Sequence, residues 1–127
     1  MATAITPTVG NGTYDNNTFD GKGRKSLSQA YEATSIPLFA TGAAVQYFCY
    51  AQLTGAMTIN AATTLARLSQ FDEIVFFFEA DASQRVVSFG TGFKSSGTVT
   101  VTADKGAVVR AVFDGTDIRI VSREIYA

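Results

Sequence analysis

The chain contains no histidine and no tryptophan, and it has a single cysteine, Cys49. Without histidine, the usual base of a serine or cysteine triad and the commonest zinc ligand are both missing. One cysteine excludes an intrachain disulfide framework. Cys49 lies in the apolar run Val45–Leu53 and reads as a small buried hydrophobe. Charge is also scarce: Asp, Glu, Lys and Arg make up 17% of the 127 residues, and the net charge is -1. There is no global basic field to attract nucleic acid, and no acidic excess of the kind that keeps chains unfolded. No run reaches the roughly 18 apolar residues of a membrane helix. The opening MATAITPTVGNGTYDNN has neither a basic start nor an apolar centre, so no secretory signal is expected. These absences point to synthesis in a reducing cytoplasm, with no membrane and no direct nucleic-acid partner.

What is present can build a core. Hydrophobic residues make up 46% of the chain, and the length suits one domain. Residues 1–35 differ from the rest and read as an extended N-terminal arm; residues 36–127 read as a β-domain. The arm is rich in Thr, Asn and Gly, and its apolar residues are too scattered to bury themselves. Fully extended it spans on the order of 110 Å, against a radius of gyration of about 12 Å for the compact remainder. Such an arm reaches beyond its own subunit. Tyr14 and Phe19, with the cluster Lys22, Arg24 and Lys25, are its candidate contact residues. The cluster fits a solvated patch or a contact to an acidic surface. It is not a phosphate loop, since the full glycine spacing is missing. Ser26–Thr34 has a capping serine and Leu27, Ala30 and Tyr31 on one face, which predicts one or two helical turns.

From Ala43 onward the pattern is β. Ala44–Leu53 alternates Val45, Tyr47, Cys49 and Ala51 against Gln46, Phe48 and Tyr50, so aromatics fall on both faces and both are expected to be covered. Ala56–Asn60 is a short strand. Ala61–Phe71, with Leu65, Leu68 and Phe71 three apart, is expected to be an irregular link with a helical turn and buried anchors. Asp72–Ala80 and Gln84–Phe89 read as a hairpin whose core face is Ile74, Phe76, Phe78 and Phe89. Gly90-Thr91-Gly92 follows, where glycine supplies a backbone angle or a close approach, and Phe93 folds back onto the core. Thr98–Thr102 points Val99 and Val101 inward. Ala107–Phe113 and Asp117–Ser122 form a hairpin around Asp114-Gly115. About seven evenly spaced strands predict an all-β fold, an antiparallel β-sandwich or jelly-roll-like barrel.

Catalytic candidates are few. The carboxylates Asp72 and Glu73, Glu79 and Asp81, and Asp114 and Asp117 sit at strand edges or turns, where Asp is common for conformational reasons. None repeats the oxygen-ligand spacing of a cation loop. No enzyme activity, metal or cofactor is expected. The phenylalanines read as core, whereas Tyr47 and Tyr50 suit a wet rim.

From Leu53 to the C-terminus the chain resembles a small β-domain found in structural proteins of tailed bacteriophages. The resemblance rests on LTGAMTINA, on FDEIVFFFEADASQRVVSFGTGFKSSGTVTVTA and on VVRAVFDGTDIRIVSRE. The link Ala61–Phe71 is longer than expected for that family and carries Arg67. Such domains occur in head decoration (cement) proteins, head fibres and tail-fibre tips; they are commonly trimeric and carry no enzyme activity. The resemblance implies a capsid decoration protein on the exterior of the virion. Its partners would be the major capsid protein, gripped by the arm, and two further copies of itself. Tyr47, Phe48 and Tyr50 are the expected oligomer interface. The alternative is a receptor- or carbohydrate-binding fibre tip.

Overall fold

The computed structural model describes residues 13–14, 17–19, 23–94 and 97–126, with backbone alone for 13–14 and 17–19. The fold is all-β. Among the described residues there are twelve strands. They are β1 (Thr13–Tyr14), β2 (Asn17–Phe19), β3 (Arg24–Gln29), β4 (Thr34–Ser35), β5 (Val45–Leu53) and β6 (Met57–Ile59), then β7 (Glu73–Ala80), β8 (Arg85–Phe89), β9 (Phe93–Lys94), β10 (Thr98–Val101), β11 (Gly106–Phe113) and β12 (Ile118–Tyr126). A single 3₁₀ turn, Leu65–Arg67, lies in the expected irregular link.

The strands form two sheets. The larger has the order β1-β2-β3-β5-β7-β11-β12-β9, and the smaller β10-β8-β6-β4. β3, β5 and β7 are parallel neighbours in the larger sheet, and β4, β6 and β8 are parallel neighbours in the smaller. The chain therefore alternates between sheets and lays each strand in register on its predecessor, as a solenoid does. Antiparallel strands close the winding: β10 on β8, β11 on β7, and β2 on β3.

This arrangement corrects four expectations. The sheets are mixed and solenoid-like rather than an antiparallel jelly-roll barrel. Asp72–Phe89 is not a hairpin: β7 is paired on both edges, by β5 and β11, so β8 crosses into the smaller sheet. Residues 24–35 are built into both sheets, so the expected arm boundary at residue 35 falls inside the fold. The helical turns expected over 26–34 are replaced by β3 and β4. Ser26 and Ser28 stay exposed while Leu27 is buried beside its register partner Phe48, a period-2 pattern that overrides local propensity.

The inner faces of the two sheets share one core. Ile74, Phe76 and Phe78 of β7 and Phe89 of β8 are buried, as are Val99 and Val101 of β10 and Ile118 of β12. Phe93 returns onto it, its ring centroid 5.1 Å from that of Phe89. Gly92 permits that return. Its φ is +91°, and a Cβ there would stand 2.8 Å from the Ala62 nitrogen. Asn60 holds the same corner, its Oδ1 accepting from the Thr91 N–H at 3.0 Å. The one buried glutamine, Gln46, is satisfied by paired bonds with the Ala40 backbone, at 2.7 and 3.1 Å.

Candidate interaction surface

The outer face of the larger sheet is assembled by alternation along β5, β7 and β11, and register lines its side chains up across the strands. Cys49, Phe77 and Val108 form one row; Tyr47, Val75 and Arg110 form the next; Val45, Glu73 and Val112 form a third. The Tyr47 and Phe77 rings lie 6.2 Å apart. Val75 is only 1% exposed although it points outward, so its neighbours on this face cover it. Tyr47, Cys49, Phe77 and Val108 are half-buried. No layer of the described residues packs over them. Exposed Glu73, Glu79, Arg110 and Glu124 frame the stripe with both signs of charge. Burial, and secondarily Glu79, push the Cys49 thiol above its ordinary pKa, which keeps it neutral and weakly nucleophilic.

The structure separates the three residues expected at an oligomer interface. Tyr47 lies on the outer face. Phe48 and Tyr50 point the other way and are 2% and 0% exposed, enclosed in the subunit's own core. They have no surface to offer a neighbour. Tyr50 Oη accepts a hydrogen bond from Ser35 Oγ at 3.0 Å, and burial pushes its pKa up to about 12.

Of the expected arm contacts, Tyr14 is in β1 and Phe19 in β2, while Lys22 lies outside the described residues. Arg24 and Lys25 open β3 and are half-buried beside Val45 and Gln46. They belong to the body of the sheet rather than to a tail.

The carboxylates are dispersed in structural roles. Asp72 Oδ2 accepts from the Ser69 N–H at 2.8 Å. Asp81 takes a bidentate pair from Arg85, both contacts at 2.8 Å, which holds its pKa below the ordinary value and fixes the crossover into β8. Asp114 accepts from the N–H groups of Thr116 and Asp117 and from Arg119 Nε, closing the β11–β12 turn. Among the described residues no three His, Cys, Asp or Glu converge on a metal position.

Two surface features escaped the sequence reading. The loops 36–44 and 60–72 join β4 to β5 and β6 to β7, so they lie side by side at one end of the winding. They present Ile36 at 53% exposure, Leu38 at 49% and Phe71 at 71%. Leu65 and Leu68 do anchor the second loop on the core, but Phe71, the third member of that spaced set, points away. At the sheet edge, Lys94, Arg119 and Arg123 gather along a groove. Only the three-dimensional pairing of β9 with β12 brings Lys94 beside Arg119, so no local pattern announces it.

No helix of the described residues is long and apolar enough to cross a membrane. Compared with known proteins, the chain matches no family model and no curated protein.

Proposed function

We propose that this chain is a structural protein of a phage virion, a capsid decoration protein that binds the outer shell as a homotrimer and stabilises it. The observation that carries the reading is the uncovered apolar stripe Tyr47, Cys49, Phe77 and Val108, rimmed by charges, on a firmly cored two-sheet body. A soluble subunit gains by covering such a stripe, and copies of itself are the partner always at hand. The phage-domain resemblance over 53–127 supplies the virion context. The mechanism is mechanical. Each trimer grips several shell subunits through its N-terminal segments, so binding is multivalent and resists outward pressure from packaged DNA. No nucleic acid, membrane or cofactor enters the reading, and no step in it is enzymatic.

Sedimentation of the purified chain at micromolar concentration tests the trimer, and a stable monomer would sink it. Electron microscopy of undecorated capsids incubated with the protein tests the location. Failure to see added density on the shell would remove the decoration reading.

The charge-poor loop end with Ile36, Leu38 and Phe71 supports a second reading, a receptor-binding fibre tip. A glycan array run beside the capsid pull-down separates the two.

A further inference from the structure

On the outer face of the larger sheet, the row beyond Cys49, Phe77 and Val108 is Ala51, Glu79, Gly106 and Tyr126. Tyr126 lies down on Gly106: a Cβ at that glycine would stand 2.5 Å from Cζ of the tyrosine ring. The ring becomes one wall of a recess of about 240 Å³ at this end of the stripe, lined also by Gln52, Glu79, Asp104, Lys105 and Gly106.

The chemistry of the recess suits a cation. Glu79 and Asp104 have no ion pair among the described residues, even with Lys105 beside them. Asp104 is held by its backbone, at φ +60° with its N–H donating to the Asp81 carbonyl at 2.8 Å, so its carboxylate is left unengaged. Burial, then the Glu79 carboxylate and Cys49, push the Tyr126 phenol above its ordinary pKa, which keeps the ring neutral beside a negative charge. An aromatic ring flanked by carboxylates fits a guanidinium, which stacks on rings and donates to paired oxygens.

The same face carries such a group. Arg110 is exposed in the row of Tyr47 and Val75 and has no ion pair among the described residues. It stands about 13 Å along β11 from Gly106, with Val108 between them. That span separates it from its own recess. Arginine and recess therefore flank the apolar row of Cys49, Phe77 and Val108. A second copy that covers the row can bring the arginine of one to the recess of the other.

We propose that Arg110 of one copy enters the recess of the next, between Tyr126, Glu79 and Asp104, and sets how the copies register on one another. This rests on the reading that the Tyr47–Phe77 face meets further copies of the chain. The stripe supplies apolar area; the desolvated arginine fixes the orientation and discriminates against other partners.

Sedimentation of the full chain tests the contact. Association of the parent is expected to weaken as salt rises. Arg110→Glu and Glu79→Arg are each expected to weaken it about tenfold or more, with far-UV circular dichroism confirming that the variants stay folded. The double variant, with the charges exchanged, is expected to regain association. A mixture of the two single variants is expected to associate better than either alone, fully in a twofold pair and with one mismatched contact in a ring of three. Loss of association in Phe77→Glu but not in Arg110→Glu would overturn the arginine contact and leave the stripe as the interface. So would a double variant no better than the single ones. A parent that stays monomeric removes both readings, whereas a twofold parent rescued by the exchange keeps this contact and removes the trimer.

Discussion

Phe48 stacks on Phe76 with ring centroids 5.7 Å apart, and the two are also register partners on parallel strands. The next inward pair, Tyr50 and Phe78, repeats the relationship at 5.6 Å. In-register parallel winding places like side chains over one another, and the aromatic stack follows from it. Phe76 is the hub, since its ring also meets Tyr50, Phe78, Phe89 and Phe93. Phe76→Ala is therefore expected to cost about 3–5 kcal/mol, read as a lowered urea midpoint. A loss below about 1 kcal/mol, the scale of a conservative core swap, would deny the hub role.

That stack marks what the sequence could and could not disclose. Alternation assigns faces, so Ile74, Phe76, Phe78, Val99 and Val101 could be placed inside from the sequence alone. Alternation does not name a strand's neighbour. Ala80–Ser83 has the composition of a hairpin turn, yet the bidentate Asp81–Arg85 pair pins a crossover between sheets. The parallel partners β3, β5 and β7 are separated by segments that each contribute a strand to the other sheet, and such segments carry no pairing signal. The two apolar faces of Val45–Leu53 led to the expectation that both are covered, yet only the face of Phe48 and Tyr50 is enclosed, while Tyr47 and Cys49 stay half-buried with no layer of the described residues over them. Their division into a core face with Phe48 and Tyr50 and an outer face with Tyr47 needed the second sheet to be in place.

Tyr50 gives a pH signature. Its buried phenol titrates near 12, whereas an unfolded tyrosine titrates near 10. Between those values the unfolded chain has released the proton and the folded chain holds it. Stability therefore falls as pH rises through that window, and below it this group adds no pH dependence. Tyr50→Phe is expected to flatten that part of the alkaline limb in melting curves. It also leaves the Ser35 hydroxyl without its acceptor, at about 1–3 kcal/mol near neutral pH.

Asp114 acts at the other end of the scale. The Asp117 N–H, then Arg119 and the Thr116 N–H, hold its carboxyl far below the ordinary range. Its stabilisation is present above the ordinary carboxylate pKa. As acid is added the unfolded chain takes up the proton first, so the contribution is lost as pH falls toward the depressed folded value. Asp114→Asn keeps a side-chain acceptor for the turn but does not titrate. Its melting temperature is expected to drop less between pH 5 and pH 2 than that of the parent chain. Parallel curves for the two proteins would contradict this.

Phe77 tests the assembly face. It points outward between Cys49 and Val108, near the rim carboxylates Glu79 and Glu124. Phe77→Glu places a third carboxylate there and destroys the apolar stripe, so the proposed trimer is expected to sediment as a folded monomer. Phe77→Leu keeps the stripe and is expected to keep the trimer. Identical sedimentation of the Glu variant and the parent would remove this face from the interface.

Phe71 isolates a surface role from a folding role. It is the third residue of a turn closed by the Asp72 N–H on the Ser69 carbonyl at 3.0 Å, and its φ is +73°. That position suits glycine, and a bulky residue there stores about 1–3 kcal/mol of strain. The backbone is held regardless, because the Phe71 N–H donates to the Phe113 carbonyl at 2.7 Å. The side chain is 71% exposed, so its burial contributes little in return. Phe71→Gly relieves the strain and adds about 0.5–1 kcal/mol of unfolded-state entropy. Stability is expected to hold within about 1 kcal/mol or rise, against the large loss at Phe76. A loss above about 2 kcal/mol would mean that the ring is a structural anchor after all. With the fold intact, weakened binding of this variant to capsids or to glycans would assign the strained ring to that contact and show which partner the loop end serves.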